Sequence, residues 1–507
     1  MFGKKLLIQR VETSTISTLK PTKLLGILQR QDDDNSKKGT TFFLIKKINK
    51  NMLLHTIFLQ RNMEDFNWEL ILVSSWLLIE FLWYLYYSYR RNKIQRQIPF
   101  NSSFSTRKIR NEIIDQVLST TSSLSKHHSA YNIHKFLQGW FLQKNPTSPI
   151  NIAHEIHEDN VKELLVQNLW GKASLKQLDS REQEEMEFYI ERVKQHILLP
   201  EGRNPDIKPM DNRLDPVQIQ HRPWIFYLVF FLLRTLGEIV LWILGFIKIH
   251  HGQIVFWRKR MKSDKNPLVF LHGIGIGPLT YLRFLSKVRN RDVVIVEMPW
   301  VGLNLFKSIP TEQDFVKDFE SFFKKQFSSK CCVCAHSYGT FAFSWIVKHN
   351  PSMISGAVLI DPPALLLFLP DVCANFLHFR KARNLVKGIK SQEAGWNAWL
   401  LQIKRTTFLL ILHLFARELS IAESLTRRFT WINSYLPLHH APEQTFVFLS
   451  EDDLIVPVEE IDHILKEEKR RGNSKIHVEK IERLAHGEFL GHRFAKTILL
   501  RHLDRMD

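Results

Sequence analysis

The sequence predicts an α/β fold, a mostly parallel sheet with crossover helices, preceded by an α-helical, membrane-associated N-terminal region. Two observations carry this expectation. From Asn266 onward, short apolar runs alternate with helical patterns, the rhythm of strands joined by helices in a parallel sheet. Before Asn266, two long apolar stretches, 70–89 and 224–246, interrupt an otherwise charged sequence.

The bulk numbers narrow the class. The chain has 507 residues, enough for several domains and a large core. Formal net charge is +19, which favours contact with an anionic partner. No nucleic-acid motif is found, so that partner is expected to be an acidic membrane surface. Three of the four cysteines crowd 330–334, KCCVC. This is neither a disulfide framework nor the paired CxxC spacing of a zinc site, and it reads as buried cysteines in a core strand.

Residues 1–62 are basic and irregular, and read as a disordered tail, or an extension upstream of a start at Met52 or Met63, rather than a transit peptide. Residues 63–97 read as a transmembrane helix and its flanks. The apolar run 70–89 would span about 30 Å as a helix. Trp83, Tyr84, Tyr86, Tyr87 and Tyr89 gather at one end, followed by Arg90, Arg91, Lys93 and Arg96; Glu64, Asp65 and Glu69 precede it. The positive-inside rule then puts the following chain in the cytosol; the membrane is expected to be an intracellular one such as the endoplasmic reticulum. Glu80, in the middle of the run, is costly in lipid.

Residues 98–222 read as a soluble helical region, with helices at 154–170 and 181–198. The string His154-Glu155-Ile156-His157-Glu158 is not HExxH, because its histidines are three apart, and reads as solvated helix residues. Residues 223–250 read as an apolar, membrane-associated helix or hairpin, with Arg234 and Glu238 placed to pair at i and i+4. Both flanks are basic, so an interfacial or re-entrant element is expected rather than a second crossing. The stretch 248–266, with Arg258, Lys259, Arg260, Lys262 and Lys265, reads as a basic linker facing an anionic surface.

The chemistry-bearing residues follow. Strands are predicted at 267–271, 292–296, 331–335, 357–360, 445–449 and 475–478. The first runs into His272-Gly273-Ile274-Gly275-Ile276-Gly277, whose alternate glycines allow backbone N–H groups to approach an anion. The third runs into Ala335-His336-Ser337-Tyr338-Gly339, with small residues two before and two after a serine. The fifth ends near Asp452 and Asp453, and the last precedes Ala485-His486-Gly487.

Together these strings resemble the α/β-hydrolase family of serine hydrolases. Ala335 to Gly339 resembles its strained nucleophile elbow, with alanine at the first glycine. His272, Gly273 and Gly275 belong to a stretch that resembles its oxyanion loop, and the order Ser, Asp, His is the family's. The resemblance implies Ser337 as nucleophile, His486 as general base, Asp453 as the acid that orients it, and the backbone N–H groups of Ile274 and Tyr338 as oxyanion donors. Asp452 and Asp361 are the runner-up acids. The resemblance covers a hydrolase domain at 266–507, with a helical cap at about 362–443 whose greasy runs, 364–370 and 407–415, would suit an acyl chain. More loosely, the chain resembles uncharacterised membrane-associated eukaryotic members.

The expected function is a membrane-bound esterase or lipase acting on a lipid-like ester, with no metal, no cofactor and no nucleic acid. An acyltransferase and a non-catalytic membrane scaffold are the alternatives. A channel is disfavoured by having only two apolar stretches. Protein partners are not assigned.

Overall fold

A computed structural model describes residues 68–97, 106–127, 132–144, 155–304, 308–378, 396–472 and 476–506. The expected tail at 1–62 lies outside them, as do His154, Lys475 and residues 379–395 of the expected cap. The chain divides into two compact units, Met1–Leu78 and Ile79–Asp507.

The first described helix is α1, Trp68–Arg96, longer at both ends than the apolar run within it. The helical region holds α2 (Arg107–His127), α3 (Ile133–Trp140), α4 (Glu158–Leu169) and α5 (Ser180–Lys194). Helix α5 starts at a capping box in which Asp179 and Glu182 satisfy each other's backbone N–H. A small antiparallel pair, β1 (Phe141–Gln143) with β2 (Ile207–Pro209), clips this region together. His157 caps α4 and its Nδ1 lies 3.1 Å from Glu201 O, a structural role in keeping with the absence of HExxH spacing. The helices share one continuous apolar core with the sheet, running from Ile113 to Ile476, so they are not a separate domain.

Helix α6 is Trp224–Ile243. After it come β3 (Ile247–His251) and β4 (Ile254–Lys259), an antiparallel hairpin that forms one edge of the main sheet. This corrects the basic-linker expectation for 248–259, while Arg260 and Lys262 lie beyond β4 and are exposed. Arg258 is buried against the sheet, paired with Asp292 at 2.7 Å and laid over the Phe327 ring. Lys248 pairs with Glu238 at 2.7 Å, so Glu238 takes that partner rather than Arg234. The domain therefore begins near Ile247, before Asn266. The interspersed charges mask the alternation Ile247, Ile249 and Ile254, Phe256 that marks these strands.

The rest of the sheet follows the predicted rhythm: β5 (Leu268–Leu271), β6 (Val293–Glu297), α7 (Glu312–Gln326), β7 (Cys331–His336), α8 (Gly339–His349) and β8 (Ile354–Ile360). The cap contributes α9 (Pro370–Phe376), α10 (Trp396–Ala416) and α11 (Leu419–Leu425). Then come β9 (Gln444–Ser450), α12 (Val458–Arg470), β10 (His477–Ile481) and α13 (Arg493–Arg505). The strand order is β10-β9-β8-β7-β5-β6-β4-β3, parallel from β10 to β6. Cys331, Cys332 and Cys334 are fully buried in β7, as expected of core-strand cysteines.

Both long apolar helices are long and apolar enough to cross a membrane. Only 6% of the most apolar window of α1 and 11% of that of α6 is buried, unlike core helices. Glu80 is not bare: its carboxylate accepts from Trp224 N at 3.1 Å and lies 3.5 Å from His221 Nε2, at the positive end of α6. Helix α6 buries Tyr227, Gly237 and Leu241 and exposes Ile225, Phe231, Leu232, Ile239 and Trp242. One of its faces thus packs on the protein along its length, and the other is apolar and open.

Candidate active site

The nucleophile candidate sits where strand β7 turns sharply into helix α8. Ser337 has φ of +52°, in the left-handed region that a residue with a side chain adopts only when its surroundings hold it there. Its N–H donates to Ile360 O at 3.0 Å, and its C=O accepts from the Thr340 hydroxyl at 2.7 Å. Gly339 has no alternative: a Cβ there would lie 2.2 Å from Leu271 O. The turn lifts the serine hydroxyl above the C-terminal ends of the strands.

Three side chains from distant loops meet there. Ser337 Oγ lies 2.8 Å from His486 Nε2, and His486 Nδ1 lies 2.6 Å from Asp453 Oδ2. Asp453 is fully buried; its Oδ1 accepts from the N–H groups of Ile455 at 2.7 Å and Val456 at 3.0 Å. These backbone donors hold the carboxylate so that Oδ2 faces the imidazole. Burial alone would lower the pKa of His486, but the adjacent Asp453 carboxylate, with a smaller part from Asp361, outweighs it and the net shift is upward.

Of the runner-up acids, Asp452 is exposed. Asp361 lies close but has other partners. Its Oδ1 accepts from Ser450 N at 2.8 Å, and its Oδ2 accepts from Ser450 Oγ at 3.0 Å and Gly487 N at 2.9 Å. It thereby ties the β9 end, three residues before Asp453, to the residue after His486. Burial, and then the charge of Asp453, push the Asp361 carboxyl up to about 6. Asp361, Asp453 and His486 bring potential metal-ligand atoms within 4.8 Å of one another. Both ring nitrogens of His486 and both oxygens of Asp361 already have hydrogen-bonding partners within the protein.

The glycine loop lies against the serine. Met298 N donates to His272 Nε2 at 2.9 Å, which leaves the ring proton on Nδ1. His272 Nδ1 in turn donates to Gly273 O at 2.8 Å. In a trans peptide the N–H points away from the C=O, so this bond sets the direction of the Ile274 N–H. Burial lowers the His272 pKa to about 4, which keeps the ring neutral in that role. Gly275 and Gly277 take φ of +150° and +67°, which explains glycine at both. Gly275 N is held by Val301 O at 3.1 Å. Among the described residues, neither Ile274 nor Tyr338 spends its N–H on another backbone group outside the helices and strands.

Ile274, Ser337 and Tyr338 line a common cavity of about 90 Å³ with apolar walls, including Phe341, Leu367 and Phe376. Its lining also includes Trp140, Met210 and Arg213 from the N-terminal region, residues that no local motif marks. The Trp140 indole donates to Phe368 O at 3.1 Å, which joins α3 to the cap. A larger cavity of about 660 Å³ shares Tyr338 but not Ser337.

Residues 268–490 match the alpha/beta hydrolase family, a segment that contains every residue described above from the glycine loop to His486. No curated protein matches the chain. Among solved structures, MGS-M2, an alpha/beta hydrolase enzyme from a Medee basin deep-sea metagenome library, is 12% identical and aligns over 52% of this chain and 98% of its own, with a TM-score of 0.37. A membrane phospholipase A described as a novel bacterial virulence factor is 19% identical over 55% of this chain and 93% of its own, with a TM-score of 0.36. Carboxylesterase CesB (YbfK) from Bacillus subtilis is 15% identical over 55% and 98%, with a TM-score of 0.34. With the parallel sheet and the family match in one segment, the C-terminal half of this chain has the α/β-hydrolase fold.

Proposed function

We propose that the chain is a membrane-bound serine hydrolase that cleaves lipid-like carboxylic esters through an acyl-enzyme on Ser337. The observation that carries this reading is the unbroken line Ser337 Oγ–His486 Nε2, His486 Nδ1–Asp453 Oδ2, at 2.8 and 2.6 Å. A scaffold that had abandoned chemistry would have no need of a strained serine on such a line.

Ser337 Oγ attacks the ester carbonyl carbon as its proton passes to His486 Nε2. Asp453 stabilises the imidazolium. The N–H groups of Ile274 and Tyr338 hold the negative oxygen of the tetrahedral intermediate. Collapse expels the alcohol, which takes the proton from His486. Water, deprotonated by the same nitrogen, then attacks the acyl carbon; the bond from that carbon to Ser337 Oγ breaks, His486 returns the proton to Oγ, and the acid leaves. The apolar walls of the small cavity suit the acyl chain.

The membrane half of the proposal rests on the open apolar faces. Helix α1 crosses the bilayer, and the basic run Arg90, Arg91, Lys93 and Arg96 keeps the hydrolase domain on the cytosolic side of an intracellular membrane. Helix α6, packed on the domain by one face, lies in the interface rather than across it. The cap joins this surface: the Phe230 and Phe415 rings are 6.0 Å apart, and α10 exposes Leu410, Ile411 and Leu414. A lipid ester could then enter from the bilayer without crossing water.

The test compares long-chain esters in vesicles with short soluble esters, using the full chain. Long-chain esters are expected to turn over at least about tenfold faster, and the protein should stay with membranes through alkaline carbonate. A clear preference for short soluble esters would remove the lipid-substrate reading. Release by carbonate would remove the membrane reading.

A further inference from the structure

Beneath the glycine loop lies a buried hydrogen-bonded chain that the mechanism above does not use. Gly273 N donates to the Tyr281 hydroxyl at 3.0 Å, and that hydroxyl lies 2.7 Å from His336 Nδ1. Tyr281 and His336 are both buried. Because the phenol oxygen accepts from Gly273, its own hydrogen is free to go to His336 Nδ1, where it finds an acceptor. The two segments so joined are the ones that supply the two oxyanion donors. Gly273 immediately precedes Ile274, and His336 stands two residues before Tyr338.

We propose that Tyr281 is a positioning residue for the oxyanion hole, its hydroxyl clamping the glycine loop to the nucleophile elbow so that the N–H groups of Ile274 and Tyr338 converge on one point. The inference rests on the reading of Ser337 as nucleophile.

Several features fit this role. Gly273 is pinned at both ends, its N–H by Tyr281 and its C=O by His272 Nδ1, so the plane that carries the Ile274 N–H cannot rock. The fit is close: a Cβ on Gly273 would come within 3.0 Å of His336 Nδ1 and of Ser337 Cβ. The Tyr281 ring is itself fixed, 4.7 Å from Phe270 in strand β5. Burial pushes the Tyr281 phenol up and, with the two neighbouring histidines, His336 well down, so that both stay neutral across the working range. The clamp therefore keeps one hydrogen-bonding pattern while His486 gains and loses its proton. Preorganised donors are where an enzyme of this kind gains most of its rate, and a donor misplaced by a fraction of an ångström loses much of its value.

The experiment uses the full chain in detergent micelles with a hydrolysable ester, and the variants Tyr281→Phe, His336→Ala, His336→Asn and the double variant Tyr281→Phe/His336→Ala. Tyr281→Phe keeps the ring and its packing and removes only the hydroxyl. It is expected to lower kcat about 10- to 100-fold, somewhat less than deleting a donor outright, with KM changed by less than about twofold. The pH at which kcat half-rises, set by His486, should not move. A trifluoromethyl ketone, which binds as a tetrahedral oxyanion, should lose affinity by the same factor as kcat/KM, whereas a non-reacting amide analogue should bind unchanged. His336→Ala should match Tyr281→Phe, the double variant should be no worse than either, and His336→Asn, which restores an acceptor near Nδ1, should recover most of the loss. A Tyr281→Phe enzyme within twofold of the parent in kcat overturns the proposal, as does equal weakening of ketone and amide. If instead Ser337→Ala retains full turnover, the nucleophile reading itself has failed, a result distinct from either.

Discussion

Replacing Ser337 by alanine is expected to lower ester hydrolysis by at least about a thousandfold while leaving the protein folded. Loss of one member of such a serine–histidine–acid unit typically removes several orders of magnitude, and what remains comes from binding and the oxyanion donors. Folding should survive because the change removes only the hydroxyl and keeps the Cβ. The backbone bonds that hold the turn, Ser337 N to Ile360 O and Thr340 Oγ1 to Ser337 O, do not involve the hydroxyl. Initial-rate assays with circular dichroism on the same preparation check both halves. Turnover unchanged in a folded variant would remove the serine from the chemistry.

Asp453→Asn is expected to be nearly as damaging, lowering kcat about a thousandfold or more, because an amide nitrogen facing His486 Nδ1 would favour the wrong tautomer. The pH profile gives the sign. His486 acts as a base only when neutral, so activity is present above its pKa and lost as pH falls through it. With Asp453 ionised that pKa is raised; without the charge, burial prevails and the acid limb moves to lower pH. Asp361→Asn should behave differently. It loosens the bridge from Ser450 to Gly487 and should cost stability and a smaller part of kcat. If Asp361→Asn were the more severe in kcat and moved the acid limb further, the acid would be Asp361.

Much of this was legible in the sequence because the elements carrying the chemistry are local. Each parallel strand is a short apolar run, and each candidate residue follows one within a few positions. The elbow is legible in Ala335-His336-Ser337-Tyr338-Gly339 taken with the strand before it and the order of the other motifs, and the fold shows why glycine stands at 339, where a Cβ would meet Leu271 O. The acid was a different matter. Asp361, Asp452 and Asp453 all end or follow strands; the family resemblance favours Asp453, and in the fold it is Asp453 that lies 2.6 Å from His486, while Asp452 is exposed and Asp361 binds Ser450 and Gly487.

What was not legible depends on long-range contact. The β3–β4 hairpin was hidden by Lys248, Arg258 and Lys259, whose charges find Glu238, Asp292 and aromatic rings in the fold. Trp140 and Arg213 reach the serine cavity from far upstream, and nothing near them in the chain says so. Tyr281 sits in Gly-Pro-Leu-Thr-Tyr-Leu, where its hydroxyl among apolar neighbours was the one available hint of a buried partner. Glu80 looks like a cost in lipid when only its own stretch is considered, whereas in the fold the first N–H of α6, at Trp224, donates to it.

The most direct test of the central claim is to react the full chain with a fluorophosphonate and map the adduct by peptide mass spectrometry. The account predicts one adduct, on Ser337, formed faster as pH rises through the His486 pKa and absent from Ser337→Ala. A folded protein that fails to react, or an adduct on another residue that persists in Ser337→Ala, would contradict it.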